Sequence, residues 1–217
     1  AARIETRMTS HKSLLANASH ELRSPLTRIR MGLEFMGDDP VSARAKAEIQ
    51  RNISELDQLV DEILLASRLD TREVDVGSVE SVDLIGLAAE ECARIGAELD
   101  MQADGPLDVK GIAKLLRRAV RNLLENARRY SQGEITLSLS KQGNMAVVRV
   151  EDHGPGVPEA QRERIFEKFY RLPGASERSG GVGLGLSLVS SIAERHGGTV
   201  HCEGRKDGQS GASFVIM

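Results

Sequence analysis

From Ile4 to Met36, apolar residues recur three and four apart, at Ile4, Met8, Leu15, Ala18, Leu22, Leu26, Ile29, Leu33 and Met36. At about 100° per residue they fall in a stripe roughly 80° wide, the narrow seam of a coiled coil or helix bundle. The spacing predicts a long amphipathic helix. Gly37-Asp38-Asp39-Pro40 stops it with turn residues, and a second periodic run follows through Ile49, Ile53, Leu56, Val60, Ile63 and Leu64. Two long helices joined by a short loop make a hairpin with a single apolar seam on each helix. Such a hairpin cannot enclose a core alone, so pairing with a second copy into a four-helix bundle is the expected completion.

The pattern breaks between Asp70 and Asp83, where Gly77 and Ser78 interrupt a Val/Glu/Asp stretch. The expected division is a helical hairpin over 1–70, a linker over 71–82 and a second domain over 83–217. Asp83 is placed to cap a helix over 84–95, and another amphipathic helix is predicted over 111–130. Strands are predicted over 135–140 and 146–151, joined by a turn at 141–144, and over 199–203 and 212–217. Helices mixed with an adjacent-strand hairpin point to an α+β two-layer sandwich, with helices on one face of a mixed sheet.

Composition narrows the function classes. The 217 residues carry 29 basic and 32 acidic side chains, so no polyanion-binding surface shows and nucleic acid is not an expected partner. Only six aromatics occur, Phe35, Tyr130, Phe166, Phe169, Tyr170 and Phe214, too few for an aromatic-lined sugar or RNA cleft. Cys92 and Cys202 lie far apart without ligand spacing, which argues against a zinc site or disulfide scaffold and fits a reducing compartment. No apolar run approaches the ~18 residues of a membrane span, and Ala1-Ala2-Arg3 has neither an initiator Met nor a signal-peptide pattern. The chain reads as a soluble piece of something longer, with no membrane contact of its own.

Candidate chemistry sits at four places. His20, in Ser19-His20-Glu21-Leu22-Arg23-Ser24-Pro25, lies roughly 160° from the centre of the seam, so a helix packing its stripe inward presents this imidazole to solvent. A neutral imidazole there is a competent nucleophile, and Glu21 can accept the other ring proton; the plain alternative is a solvated surface histidine. On the helix over 114–130, Leu115, Leu116, Ala119, Val120, Leu123, Leu124 and Ala127 form a buried face, while Arg118, Asn122, Asn126 and Arg129 project together elsewhere. Two carboxamides one turn apart among cations suit a magnesium–phosphate complex, and a solvated polar face explains them equally well. Asp152-His153-Gly154-Pro155-Gly156 leaves a strand through two glycines, where a carboxylate can accept from an exocyclic amine and the backbone can pass close to a flat ring. Gly180-Gly181-Val182-Gly183-Leu184-Gly185-Leu186-Ser187 runs into a helix start, which presents bare amides to phosphate without being a P-loop or a Rossmann turn. Between the glycine motifs, the Gly/Ser/Pro-rich stretch 172–178 reads as a mobile loop beside the ligand.

In order, His-Glu-x-x-Ser-Pro, Asn-Leu-Leu-Glu-Asn-Ala, Asp-x-Gly-x-Gly, Phe-Glu-Lys-Phe-Tyr-Arg and Gly-x-Gly-Leu-Gly-Leu resemble the successive boxes of bacterial two-component sensor histidine kinases. The resemblance covers residues 16–217. It implies a dimerisation and phosphotransfer hairpin, a four-helix bundle in the homodimer, joined to an ATP-binding domain of the Bergerat type shared by gyrase, the heat-shock chaperone and mismatch-repair proteins. By matching position, His20 is the phosphoacceptor and Glu21 its acid/base neighbour. Asn122 and Asn126 would hold Mg2+, with Arg129 and Tyr130 near the phosphates and base. Asp152 would recognise the adenine amine of ATP, with Gly154 and Gly156 shaping that pocket. Gly181, Gly183, Leu184, Gly185 and Leu186 would line the triphosphate site, and Phe166, Phe169 and Arg171 belong to the box beside the lid.

The resemblance further implies that the phosphoryl group passes from His20 to an aspartate of a response-regulator receiver domain, and that the chain is the cytoplasmic fragment of an inner-membrane protein. Two departures stand out. Ser24, a candidate for phosphatase action on that regulator, stands where many relatives carry Thr or Asn, and the chain ends short of the family's usual last strand. Hydrolysing relatives place a glutamate where Asn122 stands; a carboxamide cannot take a proton from water, which favours transfer over hydrolysis. A degenerate ATP-binding scaffold is disfavoured because every motif residue is present.

Overall fold

The computed structural model describes residues 26–27, 29–33, 40–69, 77–173 and 183–217. His11, His20, Glu21, Ser24 and Gly181 lie outside the described residues. The chain divides into two compact units, Ala1–Thr71 and Arg72–Met217.

In the first unit, residues 26–27 and 29–33 are helical, and α1 runs over Pro40–Leu69. The proline that marks the turn in the sequence is the first residue of α1, where a missing N–H costs nothing because first-turn amides have no intrahelical partner. Leu26, Leu33 and Ile53 form a buried cluster with Ile49 packed against it, and Arg30 pairs with Asp57 at 2.8 Å. Ile29 and Leu56, both expected on the seam, are 47% and 48% exposed in the single chain. No helix among the described residues is long and apolar enough to cross a membrane.

The second unit is built on a five-stranded mixed sheet of order β2-β4-β5-β7-β6, with β2 Glu98–Met101, β4 Thr136–Gln142, β5 Met145–Glu151, β6 Val200–Gly204 and β7 Ala212–Ile216. Only β2 with β4 is parallel. Leu137, Val150, Phe214 and Cys202 are opposite one another across four strands and all are buried, so one row of the pleat becomes the floor of the core. Three helices supply the second layer: α2 Leu84–Ile95, α3 Ala113–Tyr130 and α4 Gly185–Arg195. A separate antiparallel pair, β1 Glu80–Asp83 with β3 Asp108–Gly111, closes one side.

The sandwich matches the expected class, and the pattern-rich elements fall within two residues of their predicted bounds. β1, β2 and β3 were not predicted, because their sequences ESVD, ELDM and DVKG carry charges where an alternating strand would show apolar residues. β1 also occupies the end of the stretch read as linker, so paired structure begins before Asp83. β7 pairs with β6 at every position and with β5 over Ser213 to Ile216.

Caps define the helices. The Asp83 side chain accepts the Ile85 N–H at 2.9 Å, and Gly96, at φ 72°, supplies the left-handed turn that ends α2. α3 has no side-chain cap from its own Ncap residue; instead the Ile112 N–H donates to His196 Nε2 at 3.0 Å. His196 Nδ1 faces the Ile192 carbonyl at 2.7 Å, so Nδ1 carries the proton and Nε2 is left to accept.

Candidate ATP-binding site

Four segments of the second unit meet around the residues singled out in the sequence. On α3 the polar residues are not equally wet: Asn122 is buried, Asn126 half-buried and Arg129 exposed. The Asn122 Nδ2 donates to the Gly185 carbonyl at 3.1 Å, which fixes the orientation of the carboxamide and leaves its Oδ1 as the spare oxygen. That bond ties α3 to the start of α4 at the end of the glycine loop. The Asn126 side chain has no hydrogen-bond partner among the described residues.

The glycine loop arrives by a route only glycine allows. Gly183 sits at φ +81°, and a Cβ there would lie 2.9 Å from the Phe169 backbone. Its carbonyl accepts the Phe169 N–H at 2.9 Å, joining the glycine loop to the aromatic segment. Gly185 is the first residue of α4, so the first-turn amides of Gly185, Leu186 and Ser187 have no intrahelical acceptor. Leu184 is buried, so this residue offers the site its backbone, while its side chain belongs to the core.

The aspartate loop leaves β5 beside the C-terminal end of α3. Asp152 is 3% exposed, and its Oδ1 accepts from the Gly154 N–H at 2.8 Å and the Ala212 N–H at 3.3 Å. Burial pushes its carboxyl above the ordinary aspartate value, against the pull of those two amides. Oδ2 has no donor among the described residues. Gly154 is required because a Cβ would approach the Tyr130 carbonyl to 2.6 Å, so the loop is stacked on the end of α3.

On the aromatic side, Glu159–Gln161 and Arg164–Phe166 form single 3-10 turns. The Arg164 guanidinium lies 4.5 Å from the centre of the Tyr170 ring, whose hydroxyl bonds Gln161. Phe169 is 60% exposed and holds φ 63°, a strained conformation for a residue with a Cβ. Arg171 is half-buried at the end of this segment.

The structure thus joins Asn122 to Gly185, Asp152 to Gly154, Gly154 to Tyr130 and Phe169 to Gly183. It also holds partners that sequence reading missed. Ser131, Arg205, Ser210 and Ala212 bond the aspartate loop from segments about 20 and 50 to 60 residues away in sequence, with no motif to flag them.

Residues 10–72 match the family described as His Kinase A (phospho-acceptor) domain, and residues 111–217 match Histidine kinase-, DNA gyrase B-, and HSP90-like ATPase. The chain belongs to the two-component sensor histidine kinases. Among curated histidine kinases it is 37% identical to Sensor protein RstB of Escherichia coli K12, over 97% of this chain and 50% of that protein. It is 32% identical to Sensor histidine kinase CpxA of the same strain, over 92% of this chain and 45% of CpxA. The chain therefore spans about half the length of the curated kinases it matches. Full-length ShkA, solved in complex with AMPPNP, superposes with a TM-score of 0.77 at 27% identity, covering 94% of this chain and 45% of ShkA. The mycobacterial sensor histidine kinase MprB superposes at 0.54 and 27% identity over 64% of this chain and 95% of that structure. The second unit is thus the kinase's ATP-binding domain.

Proposed function

We propose that this chain is the catalytic region of a sensor kinase that moves the γ-phosphoryl group of ATP to His20 and then to an aspartate of a response-regulator receiver domain. The observation that carries the reading is Asn122: a buried carboxamide, with its amide nitrogen spent on Gly185, stands beside the glycine-loop amides where a hydrolase needs a carboxylate to take a proton from water. With no base to activate water, the transferred group goes to a side-chain nucleophile. The unpartnered Oδ2 of Asp152 supports acceptance of an adenine amine, and the amides at the start of α4 support triphosphate binding over Gly181, Gly183, Gly185 and Leu186.

Asn122 Oδ1 and the Asn126 carboxamide are hard oxygen donors one turn apart and fit a divalent cation, so these residues would hold Mg2+. Bound there, the ion neutralises triphosphate charge. Arg129, Tyr130, Phe169 and Arg171 border the nucleotide on its phosphate, base and outer sides. In the transfer step, the lone pair of a neutral His20 nitrogen forms the N–P bond, while the bond between the γ-phosphorus and the bridging oxygen breaks. ADP leaves with that electron pair, and Glu21 accepts a hydrogen bond from the other ring nitrogen.

The division near residue 71 supports a hairpin over 1–70 acting on a catalytic domain over 83–217, with the exposed Ile29 and Leu56 covered in a homodimer. The chain is the cytoplasmic part of a membrane-anchored kinase, and Ser24 stands where phosphatase action on the regulator is assigned. Incubation with γ-labelled ATP tests the kinase reading. Acid-labile label should appear in the wild type and be absent from His20→Gln; label that survives the substitution, or that resists acid, overturns the assignment.

A further inference from the structure

Residues 152–154 have left β5 and have only one cross-strand bond at their start, yet almost every backbone polar group in the segment has a named partner. The Asp152 N–H donates to the Ala212 carbonyl at 3.0 Å. The Asp152 carbonyl accepts from Arg205 Nη1 at 3.3 Å. The His153 N–H donates to Ser131 Oγ at 3.2 Å, the Gly154 N–H to Asp152 Oδ1 at 2.8 Å, and the Gly154 carbonyl accepts from Ser210 Oγ at 2.8 Å. Two of these partners, Arg205 and Ser210, come from the turn between β6 and β7.

That turn is itself fixed. Arg205 grips Asp207 with both sides of its fork, Nε to Oδ1 at 3.0 Å and Nη2 to Oδ2 at 2.5 Å, and Asp207 Oδ1 also accepts the Gln209 N–H at 3.1 Å. The Arg205 side chain is only 12% exposed although its partner Asp207 is 42% exposed. A Cβ on Gly211 would overlap the Asp152 carbonyl, so the strand that follows the turn lies directly against the aspartate loop.

We propose that Arg205 and Ser210, with Ser131 on the opposite side, are positioning residues that set nucleotide affinity by holding the Asp152–Gly154 backbone. This rests on the reading of Asp152 as the residue that meets the adenine base. The physical reason is preorganisation: a buried carboxylate recognises one amine only if its free oxygen stays within about 0.5 Å of the productive place, and a three-residue irregular segment has no ladder to keep it there. Arg205 and Ser210 hold the loop's carbonyls and leave the carboxylate to its two amides, so their effect on a ligand passes through Asp152. The effect belongs to the base and not to the phosphates, because neither residue bonds α3 or the glycine loop among the described residues.

The test uses the 217-residue chain and compares Arg205→Ala, Arg205→Lys and Ser210→Ala with wild type. ATP affinity is measured by displacement of a fluorescent ATP analogue, and affinity for inorganic tripolyphosphate by the same displacement. Loss of one hydrogen bond to the loop should weaken ATP about tenfold in Arg205→Ala and about threefold in Ser210→Ala, with the autophosphorylation rate at saturating ATP within about twofold of wild type. Tripolyphosphate affinity should not move. Arg205→Lys keeps a donor for the Asp152 carbonyl but loses the fork on Asp207, and should fall between wild type and Arg205→Ala. The proposal is overturned if the folded variants bind ATP as wild type does, if tripolyphosphate weakens in step with ATP, or if only the saturating rate falls. Should Arg205→Ala fail to fold, Ser210→Ala decides alone. A wild-type chain that binds no ATP is a different result and removes the kinase reading itself.

Discussion

At Asp152 a single buried carboxylate carries a cost in stability that the proposed recognition of the adenine amine would explain. Burial holds its carboxyl above the ordinary value, so ionised Asp152 is a cost to the folded state. Because the folded value is the raised one, that cost is absent below the ordinary carboxylate range, grows as pH rises toward the raised value, and is complete above it. Asp152→Asn keeps an oxygen for the Gly154 and Ala212 amides but would turn a donor toward the amine of the proposed adenine ligand. We expect the nucleotide-free variant to melt no lower than wild type at pH 7, and ATP to bind at least about a hundredfold more weakly, the scale of an unmatched buried donor. Thermal denaturation and nucleotide titration at pH 7 check both halves; tight ATP binding by the variant would refute the role of the free oxygen. Asp152 was legible in the sequence because a carboxylate followed by Gly-x-Gly is a local pattern. Arg205 was not, since its bond to the loop depends on a strand pairing that brings residue 205 beside residue 152.

Among the elements, α2 and α3 are joined by ion pairs, Arg94 with Glu125 and Arg117 with Glu90 at the surface, and by one buried carboxylate, Glu91. Glu91 is gripped from both sides by Arg121, with Nε to Oε2 at 2.9 Å and Nη2 to Oε1 at 2.8 Å, while Arg117 and Arg94 add contacts at 3.2 and 3.3 Å. The Arg121 hydrogen bond holds the Glu91 carboxyl below its ordinary value, although burial opposes it. A depressed folded value means the contribution is present above the ordinary carboxylate range and is lost as pH falls through the lowered one. Replacing Glu91 with Gln takes the bidentate partner from Arg121, while Arg117 keeps Glu90 and Arg94 keeps Glu125, and should cost about 1–2 kcal/mol at pH 7, seen in denaturant unfolding, with the difference from wild type shrinking in acid. Equal stability of the two proteins at pH 7 would show that the network contributes nothing. The sequence revealed both helices through their apolar period, and the Asp83 cap and the glycines marked their ends. It did not reveal Glu91, because a glutamate on an amphipathic helix reads as solvated until the neighbouring helix supplies its arginines.

For the whole molecule, the hairpin and the sandwich differ in how completely each buries its own seam. The sandwich closes around Leu137, Val150 and Phe214, whereas Ile29 and Leu56 remain exposed on the hairpin. The periodic seam predicts burial for Ile29 and Leu56, and the single chain buries each only about halfway, which fits the proposed pairing of two hairpins in one bundle. The full chain should therefore be a dimer by light scattering, and Ile29→Glu with Leu56→Glu should convert it to a monomer without unfolding the ATP-binding domain. A dimer that tolerates both charges would place the interface elsewhere.

The position of β7 has a consequence for how the molecule is made. Ala212–Ile216 is the last of the five strands in sequence but lies inside the sheet, between β5 and β6. Chain synthesis runs from the N-terminus, so β5 is made well before its sheet neighbour β7. Asp152 is then without the Ala212 amide and Arg205 without its seat. The Asp152 loop is complete only with β7 in place, so the proposed nucleotide site is finished only when the sheet is.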